Sequence, residues 1–208
     1  MNPESLTWRL LTAEELTNVY LNEMRRDFPA GELKPLSMIL NSEAAGTAHT
    51  WGVYEDDALV AYLLMVRPVG CEVSQLDYFA VLPQYRAGGI GAVLLAALPD
   101  HEKGAQAILI EAECPEKAED EAMAVRRLGF YARCGAKDTG WTEHLFDACS
   151  GCWCSPAAAE RCAAPRRLCG SWQTATAAPW ASPSGAGTSP STAPMAWRCS
   201  SERLNSVP

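Results

Sequence analysis

The sequence contains no apolar run long enough to span a lipid bilayer. A membrane-spanning helix needs about 18 consecutive apolar residues, whereas runs such as residues 59–66 are only strand-sized. Residues 1–5 (MNPES) lack the basic start and apolar core of a secretory signal. We therefore expect a cytoplasmic protein with no membrane partner.

The sequence also contains few positively charged residues. The 208 residues include 17 Lys and Arg against 25 Asp and Glu, a net charge of −8, which excludes a general nucleic-acid binder. The three histidines (His49, His101 and His144) form no cluster in the sequence, so we expect no metal cofactor. Apolar residues make up 48% of the chain, enough to build the core of one ordinary domain.

The scarcity of branched apolar residues is confined to the C-terminal segment, residues 148–208. Its 61 residues include 13 Ala, 10 Ser and 7 Pro, and six of the nine cysteines, but only three residues from the group Leu, Ile, Val and Phe. Such a segment buries too little apolar surface to offset its ordering entropy. We expect a largely irregular tail from residue 148 and a folded body over residues 1–147. That body carries a net charge of −11.

Hydrophobic periodicity and turn residues predict the order β-α-α-β-β-β-α-β-α-β in the body. Thr12 followed by Glu15 is typical of a capping box at the start of the first helix. Hairpins followed by strand–helix–strand units favour a mixed α/β sheet with helices on both faces. The predicted strands are residues 6–11, 49–54, 59–67, 73–82, 107–113 and 137–146, and the predicted helices are residues 13–28, 36–45, 89–98 and 119–134.

One glycine-rich turn between a strand and a helix has the character of a phosphate site. Residues 81–91 read VLPQYRAGGIG, and glycines there let successive backbone N–H groups face one concavity beside a helix N-terminus. The turn is not a dinucleotide fingerprint, because no glycine stands three residues after Gly91. It is not a P-loop either, because no Lys-Ser or Lys-Thr pair follows.

The turn resembles the pyrophosphate motif of the GNAT acetyltransferases, Arg/Gln-x-x-Gly-x-Gly/Ala, through Arg86, Gly89 and Gly91. Residues 76–81 (LDYFAV) and 129–135 (GFYARCG) match the same family in order and spacing, so the resemblance covers about residues 5–147. It implies a mixed, mostly antiparallel sheet with one splayed strand pair. It also implies an N-acetyltransferase that moves the acetyl group of acetyl-CoA directly to an amine within a ternary complex.

The resemblance also assigns roles to individual residues. It implies Tyr131 as the acid that protonates the thiolate and Asp77 as the base that deprotonates the amine. Other interpretations stay open: Tyr131 as a packing residue that orients the cofactor, and Asp77 as a simple strand-end carboxylate or an anchor for the substrate ammonium, with Glu111 or Glu113 as the base. The implied partner is a small-molecule or peptide amine, and the chain is a monomer or homodimer. The cofactor-binding positions are the strand residues Phe79, Ala80 and Val81 and the turn residues Arg86, Ala87, Gly88, Gly89, Ile90 and Gly91.

The tail departs from the family, which continues into a last apolar strand after residue 146. Cys and Trp codons read one base earlier encode Leu, Val or Met, so a shifted frame over residues 149–155 would encode a largely apolar strand. We therefore hypothesise a frameshift near residues 146–149, and with it a second reading of the chain as a catalytically impaired acetyl-CoA-binding relic. Zinc binding by the tail cysteines, or a redox pair at Cys149-x-x-Cys152, is disfavoured, because no second Cys-x-x-Cys pair follows and no His lies beyond His144.

Overall fold

A computed structural model describes residues 5–145 and 148–154, with the backbone alone described for residues 140–145 and 148–154. The described chain divides into two compact units. The first comprises residues 5–69 and 74–105, and the second comprises the described residues of 70–73 and 106–154.

The first unit contains four strands and the helices between them, in the order that the sequence predicts. α1 runs without a break through a π-helical turn (Tyr20–Met24) into α2. A 3-10 turn, Pro83–Tyr85, precedes α4. The elements are β1 (Leu6–Leu10), α1 (Ala13–Val19), α2 (Arg25–Asp27), α3 (Leu36–Ala44), β2 (Ala48–Glu55), β3 (Ala58–Val66), β4 (Val73–Val81) and α4 (Ile90–His101).

The strands of this unit pair antiparallel in the order β1-β2-β3-β4. Helices cover both faces of this sheet. Successive side chains of a strand point to opposite sides, and neighbouring residues of β2 contact different helices. Thr50 on β2 donates to Glu43 of α3 at 2.6 Å. Its neighbours His49 and Trp51 instead contact Glu102, which caps the C-terminal end of α4. The mixed α/β layout with helices on both faces is therefore confirmed.

α1 begins where the sequence places it because Thr12 and Glu15 cap each other. The Thr12 hydroxyl accepts from the Glu15 N–H at 3.2 Å, and the Glu15 carboxylate accepts from the Thr12 N–H at 2.9 Å. This capping box satisfies backbone donors that the helix itself leaves without acceptors. The helix then buries Leu16 and Val19 against the sheet.

The core of the first unit lies between the sheet and the helices α1 to α3. β3 is buried along most of its length, with residues 60–65 at most 1% exposed, so both of its faces are covered. Burying a large aliphatic side chain stabilises a fold by roughly 1.5–3 kcal/mol. The main cluster is made of Leu11, Leu16, Val19, Met24, Ile39, Tyr62, Leu64, Tyr78 and Leu82.

The second unit contains three strands and one long helix. Asp120 caps that helix by accepting from the Met123 N–H at 2.9 Å. The helix has 13 residues, and no helix in the described ranges is both long and apolar enough to cross a membrane. The elements are β5 (Ala107–Glu113), α5 (Glu121–Arg133), β6 (Lys137–Leu145) and β7 (Ala148–Cys154), with a 3-10 turn at Pro115–Lys117.

β7 lies inside the segment for which we expected a largely irregular chain and a last strand that is missing or altered. It pairs antiparallel with β5 on one side and β6 on the other, giving the order β5-β7-β6. The expectation fails for residues 148–154 because it averaged composition over 61 residues. A short strand needs only backbone partners on its two edges, and Trp is a good strand former. Residues 155–208 lie outside the described residues, and the change of reading frame stays a prediction.

Candidate active site

The turn between β4 and α4 alternates the sign of its backbone dihedrals. Ala87 has a φ of 70° and Gly89 a φ of 74°, whereas Arg86 before them is extended, with φ −67° and ψ 164°. Gly88 between them does not have a positive φ. Such alternation turns consecutive N–H groups toward one side and forms a concave anion site.

The backbone N–H groups of residues 87–91 carry no internal hydrogen bond within the described ranges. The first helical bonds of α4 begin one residue later, where Ala92 and Val93 donate to the Gly89 carbonyl at 3.1 and 3.4 Å. Five consecutive donors at a helix N-terminus are therefore available to a ligand, and the helix dipole favours a negative charge there. This arrangement suits the pyrophosphate of a coenzyme A ester.

Open space above the turn agrees with that ligand. A Cβ built on Gly89 meets nothing within 4 Å, and one built on Gly88 meets only the Tyr85 carbonyl at 3.9 Å. A side chain at residue 89 would project into the space beside the free N–H groups. The turn therefore has both the hydrogen-bond donors and the open space that a phosphate group requires.

The Arg86 side chain holds the turn in place. Its Nε donates to the Val81 carbonyl at 2.7 Å, and its Nη2 donates to Asp27 Oδ1 at 2.8 Å. The guanidinium thereby ties the turn to the end of β4 and to the end of α2. Arg86 was predicted as a phosphate ligand through the family motif, but in this structure its guanidinium contacts protein acceptors.

Asp27 is a residue that the sequence analysis missed. Its side chain is 5% exposed, and it also accepts from the buried Tyr62 hydroxyl at 2.9 Å. Burial alone would raise the pKa of Asp27, but hydrogen bonds from Arg26, Tyr62 and Arg86 lower it. Asp27 lies 59 residues from Arg86 in the sequence, so no local pattern could have indicated this contact.

Ala87 adopts the left-handed conformation that glycine tolerates better. An L residue there costs roughly 1–2 kcal/mol, while glycine loses about 0.5–1 kcal/mol more chain entropy on folding. We expect Ala87→Gly to raise the free energy of unfolding by up to about 1 kcal/mol and to leave acetyl-CoA affinity unchanged. Urea unfolding measures the first effect. Ala96→Gly, in the exposed interior of α4, is the matched control and should lose about 1 kcal/mol. Equal losses in both variants would contradict the strained geometry.

The β4 residues predicted to hold the pantetheine arm pair with β3 along one edge. Phe79 lies opposite Leu63, and Val81 lies opposite Ala61. The Val81 carbonyl already accepts from Arg86, so a cofactor amide would have to share it through its second lone pair. Use of Phe79, Ala80 and Val81 by the cofactor stays a prediction, as does the splay beside this strand.

Asp77 sits at an irregularity of β4. Tyr78 lies opposite Leu64 and Leu76 opposite Met65, so Asp77 is an extra residue with no partner in the β3 register. Bulges of this kind redirect a side chain and are common beside active sites.

The Asp77 carboxylate forms an ion pair with a lysine of the same chain, Lys34. Lys34 Nζ donates to both carboxylate oxygens, at 2.8 and 2.7 Å, and the Asp77 side chain is only 11% exposed. Lys34 lies 43 residues away in the loop between α2 and α3. The candidate base is therefore ion-paired with an amine of the protein itself, an arrangement that the sequence analysis did not anticipate.

Tyr131 lies on α5 in the second unit and is buried, with 9% of its surface exposed. Burial raises the pKa of its phenol above the ordinary value of 10, and Arg127 lowers it by a smaller amount. The phenol therefore keeps its proton at neutral pH, as a proton donor must. The predicted cooperation of Tyr131 with Asp77 in one site stays a prediction.

Two of the histidines that form no cluster in the sequence, His49 and His101, lie near the buried Glu102 carboxylate and Trp51 in the fold. Glu102 accepts from His49 Nε2 at 2.6 Å, Trp51 Nε1 at 2.8 Å and Ser74 Oγ at 2.8 Å. The His101 ring lies 5.5 Å from the Trp51 ring, centroid to centroid. Because all three hydrogen bonds join distant parts of the first unit, this network fixes the end of α4 to β2 and β4.

Comparisons with known proteins agree with the family that the motif indicates. The profile of the acetyltransferase (GNAT) domain matches residues 46–135. This stretch of the chain is therefore similar to a GNAT acetyltransferase domain. No curated protein matches the sequence. Within the part of the chain that the structure describes, no group of three or more His, Cys, Asp and Glu residues could hold a metal ion.

Solved structures share the fold at low sequence identity. A spermidine N-acetyltransferase from Vibrio cholerae, solved with CoA and spermine, has a TM-score of 0.56 and 11% identity, covering 73% of this chain and 95% of its own. A protein from Bacteroides thetaiotaomicron, assigned to the GNAT family, has a TM-score of 0.57 and 22% identity, covering 72% and 86%. Another assigned to this family, from Desulfovibrio desulfuricans, has a TM-score of 0.56 and 19% identity, covering 73% and 99%.

Proposed function

We propose that this protein transfers the acetyl group of acetyl-CoA directly to a primary amine of a small molecule or peptide. The observation that carries the proposal is the turn at residues 86–91, with five consecutive N–H donors at the start of α4. The GNAT profile over residues 46–135 supports the same chemistry. The cofactor supplies an activated thioester, and the protein supplies the phosphate site, a base and an acid.

Each predicted residue has one task in this reaction. The turn residues bind the pyrophosphate, and the β4 backbone at Phe79–Val81 orients the pantetheine arm. Asp77 takes a proton from the incoming ammonium, and Tyr131 gives one to the departing thiolate. Each such proton transfer is typically worth about 10²–10⁴-fold in rate.

The charge of the body favours a cationic acceptor. Residues 1–147 carry a net charge of −11, and an acidic surface attracts positive ligands over several ångströms at low salt. A structurally similar enzyme was solved with spermine. Polyamines therefore belong in the acceptor panel beside neutral amines and peptide N-termini.

The alternative of an impaired relic depended on a missing last strand. β7 supplies backbone pairing to both β5 and β6, so the edge of β5 on that side is not left open. We therefore favour the active enzyme.

The experiment is an acetylation screen on the full chain. Acetyl-CoA is incubated with each amine, and the acetylated amine is detected by mass spectrometry. Direct detection is preferable to a thiol reagent, because Cys71, Cys114 and Cys134 are partly exposed thiols. We expect at least one amine to be acetylated at a rate that depends on protein concentration. A folded protein that binds acetyl-CoA but acetylates no amine would contradict the proposal.

Removing the Tyr131 hydroxyl tests the acid. Tyr131→Phe keeps the ring in its buried place, so we expect acetyl-CoA affinity to stay the same while turnover falls by about 10²-fold or more. Tyr54→Phe, on β2, removes another phenol and should retain full turnover. Equal turnover rates for wild type and Tyr131→Phe would show that Tyr131 is a packing residue and not the acid.

A further inference from the structure

The loop that carries Lys34 is fixed by two tyrosines. The Tyr78 hydroxyl accepts from the Lys34 N–H at 2.9 Å and donates to the Glu32 carbonyl at 2.8 Å, and the Tyr20 hydroxyl donates to the Lys34 carbonyl at 2.9 Å. Tyr78 is buried on β4, next to Asp77. The Lys34 N–H and the Glu32 carbonyl are therefore held against the strand that carries the candidate base, and the Lys34 carbonyl is held by the π-helical turn.

The Lys34 side chain ends in the position that an acceptor amine requires. Its Nζ lies 2.7 and 2.8 Å from the two Asp77 oxygens, within reach for proton transfer. Asp77 is two residues from Phe79, which is about 7 Å along a strand. A thioester held along Phe79–Val81 and extending toward Asp77 would meet this amine first.

From this geometry we propose that Lys34 is an internal acetyl acceptor, so the protein acetylates itself on this lysine. The inference rests on the proposed function, because it uses the same thioester and the same base. Asp77 takes a proton from the Lys34 ammonium, and the neutral Nζ attacks the thioester carbonyl carbon. The C–S bond breaks with its electron pair passing to sulfur, the nitrogen loses its second proton, and the thiolate takes up that proton. The products are Nε-acetyl-Lys34 and free CoA.

The chain supplies its own controls. It contains three other lysines, Lys103, Lys117 and Lys137, and all are exposed. Uncatalysed acetylation should favour these three, because their amines are accessible to solvent and Lys34 is ion-paired. Preferential modification of Lys34 would therefore reverse the order that exposure predicts.

The test incubates the full-length protein with acetyl-CoA and maps acetylated lysines by peptide mass spectrometry. We expect Lys34 to be acetylated at least about tenfold faster than the exposed lysines, with a fractional rate independent of protein concentration. Asp77→Asn should reduce Lys34 acetylation to background, by about 10²-fold or more if Asp77 is the base. Lys34→Arg should remove the modification and leave acetyl-CoA binding intact.

A second arm uses acetic anhydride without any cofactor. Here Asp77→Asn releases the lysine from its ion pair, so we expect Lys34 to become more reactive, opposite to the acetyl-CoA result. If Asp77→Asn raises Lys34 labelling with both reagents, or the four lysines are labelled alike, the inference is overturned.

Calorimetry on the same sample separates the two proposals. Acetyl-CoA binding and turnover of an added amine, with Lys34 unmodified, would overturn self-acetylation and leave the proposed function standing. A folded protein that does not bind acetyl-CoA would overturn both.

Discussion

Replacing Glu102 with alanine is expected to lower the free energy of unfolding by about 3–5 kcal/mol, the cost of breaking a buried charged network. The Glu102 side chain is 1% exposed and accepts hydrogen bonds from His49, Trp51 and Ser74. Its removal leaves buried donors without acceptors, each costing about 1–3 kcal/mol. It also releases the end of α4 from the sheet. Urea unfolding, followed by circular dichroism, measures the loss.

The matched control is Glu116→Ala, which removes an exposed carboxylate in the second unit. A surface change of this kind should stay within about 0.5 kcal/mol of wild type. A loss below about 1 kcal/mol for Glu102→Ala would show that the network contributes little, as exposed ion pairs do.

The pH dependence of stability gives a second test of the role of Glu102. Burial would raise the pKa of Glu102, but hydrogen bonds from His49, Trp51 and Ser74 bring it below the ordinary value of 4.5. A carboxyl whose pKa is lower in the folded state stabilises the fold above its ordinary pKa, and this contribution is lost as the pH falls through the folded value. The gap in stability between wild type and Glu102→Ala should therefore narrow on acidification below about pH 4.5. A gap that widens would contradict the assignment.

Gly89→Trp is expected to weaken acetyl-CoA binding by at least about 100-fold, since each lost hydrogen bond to a charged phosphate contributes roughly 1.5–3 kcal/mol. The indole would project into the open space beside the free N–H groups. The φ of 74° also disfavours any L residue at this position, so the turn itself would distort. Isothermal calorimetry with acetyl-CoA measures the effect.

Gly46→Trp is the control that separates the effect of local backbone strain from the loss of the phosphate site. Gly46 also has a positive φ, of 68°, and open space around its Cβ position, but it follows α3 rather than leading into α4. Its replacement should cost a comparable amount of stability and leave acetyl-CoA affinity intact. If the Gly89→Trp variant bound acetyl-CoA as tightly as wild type, the turn could not be the phosphate site.

Local patterns in the sequence predicted most of the fold. The Thr12–Glu15 capping box forms as expected because its partners lie three residues apart. The strand at 107–113 has the predicted bounds, and the other predicted strands differ at their ends by one residue. β7 was missed because a composition average hides a short strand whose two neighbours supply its hydrogen bonds.

The contacts around the candidate site could not be predicted in the same way. The glycine turn was found because its function depends on consecutive backbone groups. Asp27 with Arg86, Lys34 with Asp77, and His49 with Glu102 are instead separated by 43 to 59 residues. Such pairs depend on which strands and loops the fold brings together, so a single sequence carries no local signal for them.

Acetyl-CoA binding by the full-length protein is the most direct test of the central claim, that the turn at residues 86–91 holds a coenzyme A ester. Calorimetry on folded, soluble protein should show saturable binding to one site per chain, which Gly89→Trp removes and Gly46→Trp retains. The absence of binding by a protein whose circular dichroism shows it to be folded would contradict the account.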